Sequence, residues 1–298
     1  MENAEHKAGF VSIIGKPNVG KSTLMNALVG ERLSIITSKA QTTRHRIFGI
    51  LNGDDFQIVY SDTPGIIAPK YELHKSMMKF VNSSLEDADM VLFVTDLFEE
   101  YNEEDESLKK LKKAKVPVLL VLNKIDLAKK ASDVEAKIEY WKSKIDVEKH
   151  ICISALHKTN TEELLKFVID KMPVHPPYFP KDALTDRPER FFASEIIREK
   201  IFLNYKKEVP YSTEVVITEF KETDTIIRMR AEIYCERKSQ RVILIGNKGA
   251  SIKKVGIESR KELEEFFQKQ VYLETYIKVD PDWRKNDHKL KRFGYNEF

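Results

Sequence analysis

Cysteine is nearly absent from this chain: its 298 residues contain two, too few for a disulfide framework or a cysteine-based metal site. No apolar run approaches the roughly 18 residues of a membrane span, and the first seven residues lack the apolar core of a signal peptide. These absences exclude disulfide-rich secreted scaffolds and membrane-spanning proteins. We therefore expect a soluble, cytoplasmic protein. A monomer is a separate expectation.

Length and charge indicate two globular domains and one basic segment. The chain is about twice the length of a typical domain of about 150 residues. Its 42% apolar and 33% charged residues allow a proper core. The net charge is only +3, yet residues 237–261 hold eight lysines and arginines against one acid. A local field of that sign attracts polyanions even when the whole chain is almost neutral.

The first 170 residues alternate apolar, strand-like runs with helix-period stretches. Six strands are predicted near 10–14, 46–51, 56–60, 90–94, 117–122 and 150–153, and helices near 74–86, 103–113, 133–145 and 161–171. Near-continuous apolar strands separated by helices imply a mostly parallel sheet covered on both faces. Asn52-Gly53-Asp54 is typical of a hairpin turn, which makes the sheet mixed. The predicted fold class is α/β with a mixed, mostly parallel six-stranded sheet.

Four prolines between residues 173 and 180 interrupt this pattern, because proline neither continues a helix nor pairs within a sheet. We place a linker at 173–189, between a first domain at 1–172 and a second at 190–298. The second domain has a smaller α+β order. A helix is predicted at 190–205, strands at 213–220, 225–235 and 271–279, and a long helix at about 250–270. Periodicity alone makes Val242–Ile245 a further strand.

A glycine-rich segment follows the first strand and opens a helix. Residues 15–22 read Gly-Lys-Pro-Asn-Val-Gly-Lys-Ser, which matches the G-x-x-x-x-G-K-S phosphate-binding pattern. Its backbone N–H groups and the helix N-terminus favour a phosphate there. Lys21 is expected to reach the β- and γ-phosphates, and the Ser22 hydroxyl to ligate Mg²⁺. This pattern alone does not distinguish ATP from GTP.

Two further segments predict that the base is guanine. Asn123, Lys124 and Asp126 follow the strand at 117–122, and Ser154-Ala155-Leu156 follows the next strand. The Asp126 carboxylate only accepts hydrogen bonds, so it pairs with the N1–H and amino group of guanine. Adenine would present an acceptor to the same carboxylate. A backbone N–H of 154–156 is expected at the guanine O6, because ligands of open α/β sheets bind at the carboxyl ends of the strands.

The remaining site residues lie between these segments. In Asp62-Thr63-Pro64-Gly65, Asp62 is expected to hold Mg²⁺ through water and the Gly65 amide to contact the γ-phosphate. The polar segment 34–44, called loop 34–44 below, should order over a bound triphosphate. Its Thr43 is the favoured Mg²⁺ ligand, with Thr42 as the alternative. The predicted metal ligands are Ser22, Thr43 and Asp62, and the predicted catalytic residues are Lys21, Thr43 and Gly65. The nucleotide-binding set is Gly15, Asn18, Val19, Gly20, Lys21, Ser22, Thr23, Asp62, Thr63, Pro64, Gly65, Asn123, Lys124, Asp126, Ser154, Ala155 and Leu156.

These motifs resemble those of the TRAFAC class of GTPases over about residues 8–171. Gly15–Ser22 together with Gln41-Thr-Thr-Arg-His45 resembles the Era family within that class. The resemblance implies slow hydrolysis of GTP to GDP with Mg²⁺. Position 66 is Ile, whereas Ras-like enzymes have there the Gln that orients the attacking water. The resemblance then suggests a K⁺ ion held partly by Asn18, and a purely loop-stabilising Asn18 is the alternative.

The basic segment contains Gly246-Asn247-Lys248-Gly249, followed by Ala-Ser-Ile-Lys-Lys-Val. In its α-β-β-α-α-β setting this segment resembles the nucleic-acid clamp of a type II KH domain. The resemblance implies that residues 242–245 of this chain form a short helix. Glycines let phosphates approach, and Ile243, Ile245 and Ile252 are expected to form an apolar floor under unpaired bases. The predicted RNA contacts are Arg241, Ile245, Gly246, Asn247, Lys248, Gly249, Lys253 and Lys254.

Over nearly the whole chain, the resemblance to the Era family implies a ribosome-assembly factor. It would bind near the 3′ end of 16S rRNA and act in biogenesis of the small (30S) subunit. Family members also associate weakly with membranes, so peripheral binding to the inner face of the cell membrane is a further expectation. Two alternatives stay open: a signalling GTPase whose second domain binds a protein, and a membrane-peripheral GTPase attracted to anionic lipids.

Overall fold

A computed structural model describes residues 5–99, 109, 111–112 and 114–295. The helix predicted over 103–113 falls mostly outside these described residues.

The first part of the chain forms a six-stranded sheet with helices. Its elements are β1 (Lys7–Ile14), α1 (Lys21–Val29), β2 (Ile47–Asn52), β3 (Phe56–Asp62), α2 (Glu72–Glu86), β4 (Met90–Asp96), β5 (Val118–Asn123), α3 (Ala131–Lys142), β6 (Lys149–Cys152) and α4 (Thr161–Lys171). The strand order is β2-β3-β1-β4-β5-β6, and all neighbours are parallel except β2 and β3. The predicted mixed sheet is confirmed. Strand β3 runs two residues beyond the predicted end, because Asp62 still pairs with Ile13 and Ile47 despite its polarity.

The sheet brings the predicted nucleotide segments to one edge. β1, β4 and β5 are almost entirely buried, as their uninterrupted apolar sequences predict. Because β1, β3, β4, β5 and β6 are parallel, their carboxyl ends share that edge. The glycine-rich segment, Asp62, Asn123 and Ser154 each follow or end one of these strands.

The proline-rich segment is packed along the edge of this sheet. Its Tyr178 and Phe179 amides donate to the Gln57 Oε1 at 2.7 and 2.9 Å, and the Ile50 amide donates to the Leu184 carbonyl at 2.9 Å. β2 is an edge strand, so the segment satisfies backbone groups that would otherwise be unpaired. The prolines end the regular secondary structure, but the segment that contains them stays hydrogen-bonded to the sheet.

The second part contains α5 (Glu189–Asn204), β7 (Glu214–Glu222), β8 (Ile226–Cys235), α6 (Lys238–Ile245), α7 (Ala250–Phe267), β9 (Gln270–Val279) and α8 (Asp287–Arg292). Strand β8 lies between β7, antiparallel to it, and β9, parallel to it. Helices α5, α6 and α7 share one apolar core with this sheet.

Residues 242–245 are helical, so the periodicity-based strand is wrong and the family-based helix is confirmed. The Gln240 side chain accepts from the Arg237 amide at 2.9 Å and caps α6 at its N-terminus. Gln240 and Leu244 are buried, whereas Val242 is 68% exposed. Gln240 and Leu244, four residues apart, therefore face the core on one side of the helix. The short Val-Ile-Leu-Ile run by itself does not distinguish a helix from a strand.

We expect Leu120→Ala to destabilise the first sheet by about 2–5 kcal/mol, because the fully buried side chain would leave a cavity between β5 and its neighbours. Thermal unfolding monitored by circular dichroism should show a lower Tm. Leu184→Ala is the control, because Leu184 is 48% exposed and contacts the sheet through its backbone carbonyl. Equal Tm values for the two variants would contradict the assigned core.

Candidate nucleotide site and RNA interface

The glycine-rich segment is a tight loop that requires its glycines. Gly15 and Gly20 have φ of +152° and +99°. A Cβ at Gly15 would lie 2.2 Å from the Val94 carbonyl oxygen, and one at Gly20 would lie 2.2 Å from Asn123 Nδ2. Beside this loop is a cavity of about 450 Å³ that reaches loop 34–44. The first turn of α1, with Lys21, Ser22 and Thr23, also lines this cavity, which suits an anionic ligand.

Lys21 is folded back over the loop. Its Nζ donates to the carbonyls of Gly15 at 3.2 Å and Lys16 at 2.8 Å. Burial lowers the pKa of Lys21 to about 8, and the nearby Asp62 carboxylate opposes that shift. A phosphate in the cavity would supply the negative charge that stabilises the ammonium.

The three predicted metal ligands come together. Ser22 Oγ donates to Asp62 Oδ2 at 2.7 Å and lies 2.9 Å from Thr43 Oγ1. Burial raises the pKa of Asp62, whereas the Ser22 hydrogen bond and the Lys21 charge lower it. Two hydroxyls and a carboxylate form the hard oxygen set that suits Mg²⁺. Thr42 Oγ1 instead bonds the Thr37 hydroxyl at 2.6 Å and donates to the Lys39 carbonyl at 2.7 Å, which favours Thr43 as the ligand.

Residues 62–66 are packed directly on the glycine-rich loop. Thr63 Oγ1 donates to the Ile13 carbonyl at 2.8 Å, and the Ile66 amide donates to the Gly15 carbonyl at 3.0 Å. A Cβ at Gly65 would lie 2.6 Å from Pro17 N. Gly65 also lines the cavity, so its backbone lies at the phosphate end of the site, with Pro64 immediately before it.

At the base end, Asn123 and Lys124 join the loops to one another. Asn123 Nδ2 donates to the Val19 carbonyl at 2.9 Å, and its Oδ1 accepts from the Ala155 amide at 2.9 Å. Lys124 Nζ donates to the Asn18 carbonyl at 2.7 Å and to Asp96 Oδ2 at 2.6 Å. The motif analysis missed Asp96. Its signal was the acidic residue that ends the apolar strand β4, in Phe-Val-Thr-Asp.

Asp126 lies in the short 3₁₀ turn Ile125–Leu127 after β5, where it is exposed. The neighbouring segment 154–156 is held by a Ser154–Thr159 bridge and by the bond from Ala155 to Asn123. Leu156 is 71% exposed. Asp126 and this segment therefore follow two neighbouring parallel strands, which is where the sequence analysis expects the guanine base.

The Gly246–Gly249 loop joins α6 to α7. Gly246 has a φ of +73°, and a Cβ there would lie 2.1 Å from Ser251 Oγ. Gly249 has a φ of +81°, but a Cβ there would meet no described atom within 4 Å. Asn247 and Lys248 are exposed between them, as are Arg241, Lys253 and Lys254 on the flanking helices. Lys254 forms an ion pair with Glu258 at 3.7 Å.

A groove runs between these helices and one strand. It is lined by Lys238, Arg241, Val242, Ile245, Ile252 and residues 275–279 of β9. Ile245 and Ile252 thus form part of the predicted apolar floor. The expectation for Ile243 is wrong, because residues 238, 241, 242 and 245 share one face of α6 and Ile243 turns away from it. Sequence reasoning also missed the β9 edge, which pairing with β8 brings to the groove.

Fold and site together define a P-loop GTPase domain joined to a KH domain. Residues 10–124 match the family model described as a 50S ribosome-binding GTPase, and residues 208–284 match the KH domain model. GTPase Era of Geotalea daltonii is 44% identical over 297 residues, which cover 99% of this chain and all of that protein. The chloroplastic GTPase ERA1 of Zea mays is also 44% identical, over 98% of this chain and 71% of that protein.

Two solved structures are similar along the whole chain. One is an Era variant of Aquifex aeolicus bound to GDP and aluminium tetrafluoride, and the other is Era with MgGDPNP and nucleotides 1506–1542 of 16S ribosomal RNA. Each is 41% identical with a TM-score of 0.93, over 97% of this chain and 99% of that one. This chain belongs to the Era family of GTPases.

In the part of the chain that the structure describes, no helix has the length and apolarity needed to cross a membrane.

We expect Asp126→Asn to weaken binding of GDP and GTP by about 100-fold or more, because two hydrogen bonds to a charged acceptor are lost. The amide would instead favour xanthine, which has a carbonyl in place of the guanine amino group. Fluorescence titration with labelled GDP and XDP measures both effects. Asp146→Asn, at an exposed carboxylate of the same domain, is the control. Unchanged GDP affinity in Asp126→Asn would contradict the assigned base site.

Proposed function

We propose that this chain is a GTP-hydrolysing ribosome-assembly factor that binds near the 3′ end of 16S rRNA during small-subunit biogenesis. The observation that carries the proposal is a clustered Ser22–Thr43–Asp62 oxygen set in the same chain as a basic KH groove. The similar Era structure contains both a magnesium-bound GTP analogue and a 16S rRNA fragment. That similarity favours RNA over the protein or lipid partners of the alternative GTPases.

In this proposal the residues of the nucleotide site have distinct roles. Lys21 neutralises charge at the β- and γ-phosphates, and the Gly65 amide donates to the γ-phosphate. Ser22, Thr43 and Asp62 would hold Mg²⁺, with Asp62 acting through water. When bound, Mg²⁺ supplies electrostatic stabilisation of the transferring phosphoryl group. Asp126 selects guanine, with an amide of 154–156 at the base O6.

The proposed units are the GTPase domain at 1–172, the linker at 173–189 and the KH-like domain at 190–298. The protein acts in this proposal as a cytoplasmic monomer, with weak peripheral association with the cell membrane. The RNA contacts are Arg241, Ile245, Lys253, Lys254 and residues 246–249. Exposed cations at the lip of an apolar groove support this set, because unpaired bases need apolar contact while their phosphates need positive charge.

We also propose that K⁺ assists hydrolysis. Ile66 is buried and aliphatic, so it cannot orient the attacking water. Asn18 lies beside the phosphate cavity, and its Nδ2 donates to the Ser38 carbonyl at 3.0 Å. That bond is what the loop-stabilising alternative requires. The same bond brings the Ser38 carbonyl close to Asn18. In the K⁺ proposal, the Asn18 Oδ1 is the atom that ligates the cation.

We expect kcat for GTP to be about ten-fold higher in K⁺ than in Na⁺ at equal ionic strength, because a correctly sized cation lowers the barrier by about 1.4 kcal/mol. Phosphate release under saturating GTP measures the difference, and Asn18→Ala should abolish it. GDP affinity serves as the control for an intact site. Identical turnover in the two salts would show that Asn18 only stabilises the loop.

For the RNA groove, we expect Gly249→Asp to abolish binding of a 16S rRNA 3′-end oligonucleotide, because a carboxylate would face the phosphates. Gly249→Asn is the matched control. Both side chains tolerate the positive φ of +81°, both have open space, and they differ in charge alone. Fluorescence anisotropy should show binding by Gly249→Asn and none by Gly249→Asp, with GTP hydrolysis unchanged in both.

The wild-type affinity should fall with salt. Arg241, Lys248, Lys253 and Lys254 provide four phosphate contacts, so log K against log salt should have a slope of about −3 for a single strand. A flat salt response, or equal RNA binding by the two Gly249 variants, would contradict the assignment of RNA to this groove.

A further inference from the structure

Loop 34–44 is held by the second domain immediately before Thr43. Arg198, on α5, is fully buried, and its Nη2 donates to the Thr42 carbonyl at 2.5 Å. The Glu195 carboxylate orients the same guanidinium, accepting from Arg198 Nε at 2.7 Å and from Nη2. Both side chains lie on one turn of α5, so the helix presents a preformed donor to the loop.

The second domain also holds the loop immediately after Thr43. The fully buried Arg44 guanidinium donates to the Thr213 carbonyl at 2.7 Å and to Glu214 Oε2 at 3.0 Å. Further bonds reach the carbonyls of Pro210 and Tyr211 at 3.3 and 3.1 Å. The planar fork of arginine suits such a set of fixed acceptors.

Between these two anchors, Thr43 faces the nucleotide side. Its Oγ1 lies 2.9 Å from Ser22 Oγ, and the residue lines the phosphate cavity. In a trans peptide the C=O and the following N–H point in opposite directions. Because Arg198 binds the Thr42 carbonyl, the Thr43 amide is directed away from α5.

We propose that Arg198 is a positioning residue for GTP hydrolysis, through which the KH-side helix α5 holds the Thr42–Thr43 peptide and so places Thr43 at the metal site. This inference rests on the proposed role of Thr43 in the GTPase reaction. Among the described residues, Arg198 is the side chain outside the loop that donates to this peptide, whereas Arg44 belongs to the loop itself. The second domain thereby completes a site whose other ligands lie in the first.

The contact also implies reciprocal coupling. If docking of α5 favours the placed Thr43, then binding of Mg²⁺ and a triphosphate must favour the docked α5 by the same free energy. GDP lacks the γ-phosphate and so should not contribute in this way. The RNA-binding and nucleotide-binding halves would then be coupled through loop 34–44.

The test compares Arg198→Met with Arg190→Met, a matched change at an exposed position of the same helix. We expect Arg198→Met to lower kcat for GTP about 10- to 100-fold, because a small displacement of Thr43 from its position at the reacting groups has an effect of that size. The Mg²⁺ concentration for half-maximal activity should rise, and GDP affinity should stay within about two-fold of wild type. Arg198→Lys, which has a single ammonium nitrogen in place of the planar guanidinium, should restore part of the loss. Arg190→Met should resemble wild type.

A second readout does not depend on turnover. Hydrogen exchange of the amides in loop 34–44 should slow when a non-hydrolysable GTP analogue with Mg²⁺ replaces GDP. In Arg198→Met that protection should be lost around the Thr42–Thr43 peptide, whereas the Ile36 amide, which donates to Glu199 Oε1 at 3.1 Å, should keep its protection.

Removing Arg198 alone leaves the buried Glu195 carboxylate unpaired, which can destabilise the fold. The double variant Arg198→Met/Glu195→Gln removes both charges and is assayed in the same way, with thermal unfolding as the check. Thr43→Ala tests the role of Thr43 separately from the role of Arg198. Normal hydrolysis by Thr43→Ala would overturn the proposed role of Thr43. Impaired Thr43→Ala with wild-type or faster hydrolysis by a folded Arg198 variant would overturn the positioning role alone.

Discussion

The nucleotide site depends on two hydrogen bonds made by the side-chain amide of Asn123. Its Nδ2 donates to the Val19 carbonyl in the glycine-rich loop, and its Oδ1 accepts from the Ala155 amide in the segment 154–156. Because Asn123 is buried at the end of β5, the sheet fixes this amide, and the amide fixes two loops against each other. The glycine at position 20 follows from that packing, since a Cβ there would occupy the place of the amide.

The second constraint is the polar contact between loop 34–44 and the KH-side domain. Arg198 and Arg44 are buried, and each donates both to a backbone carbonyl across the domain contact and to a carboxylate, Glu195 for Arg198 and Glu214 for Arg44. The two domains also share an apolar contact. Trp283 and Tyr295 pack in one cluster with Phe80 of α2. The apolar contact supplies association, whereas the hydrogen bonds set the position of the loop, because hydrogen bonds are directional and burial is not.

Much of the fold was predictable. The strands of the first sheet are continuous apolar runs, and the phosphate, metal and base motifs each follow a strand end, so their meeting at one edge follows from parallel topology. Residues 242–245 show the limit of that reasoning. Four apolar residues fit a strand as well as a helix, and the cap at Arg237–Gln240 together with burial of Leu244 decides for the helix. Ile243 was misplaced for the same reason, since its direction depends on the helical period.

The sequence by itself determined the P-loop GTPase site, the change of architecture after the proline-rich segment and the basic glycine loop, because periodicity and motif spacing are local properties of the chain. The tertiary structure decided which of two adjacent threonines faces Ser22, that Asp96 holds Lys124, and that β9 forms one wall of the groove beside the Gly246–Gly249 loop. It also decided the partner of Arg198. That bond joins residues 156 positions apart, and only packing of the two domains brings such groups within reach of one another.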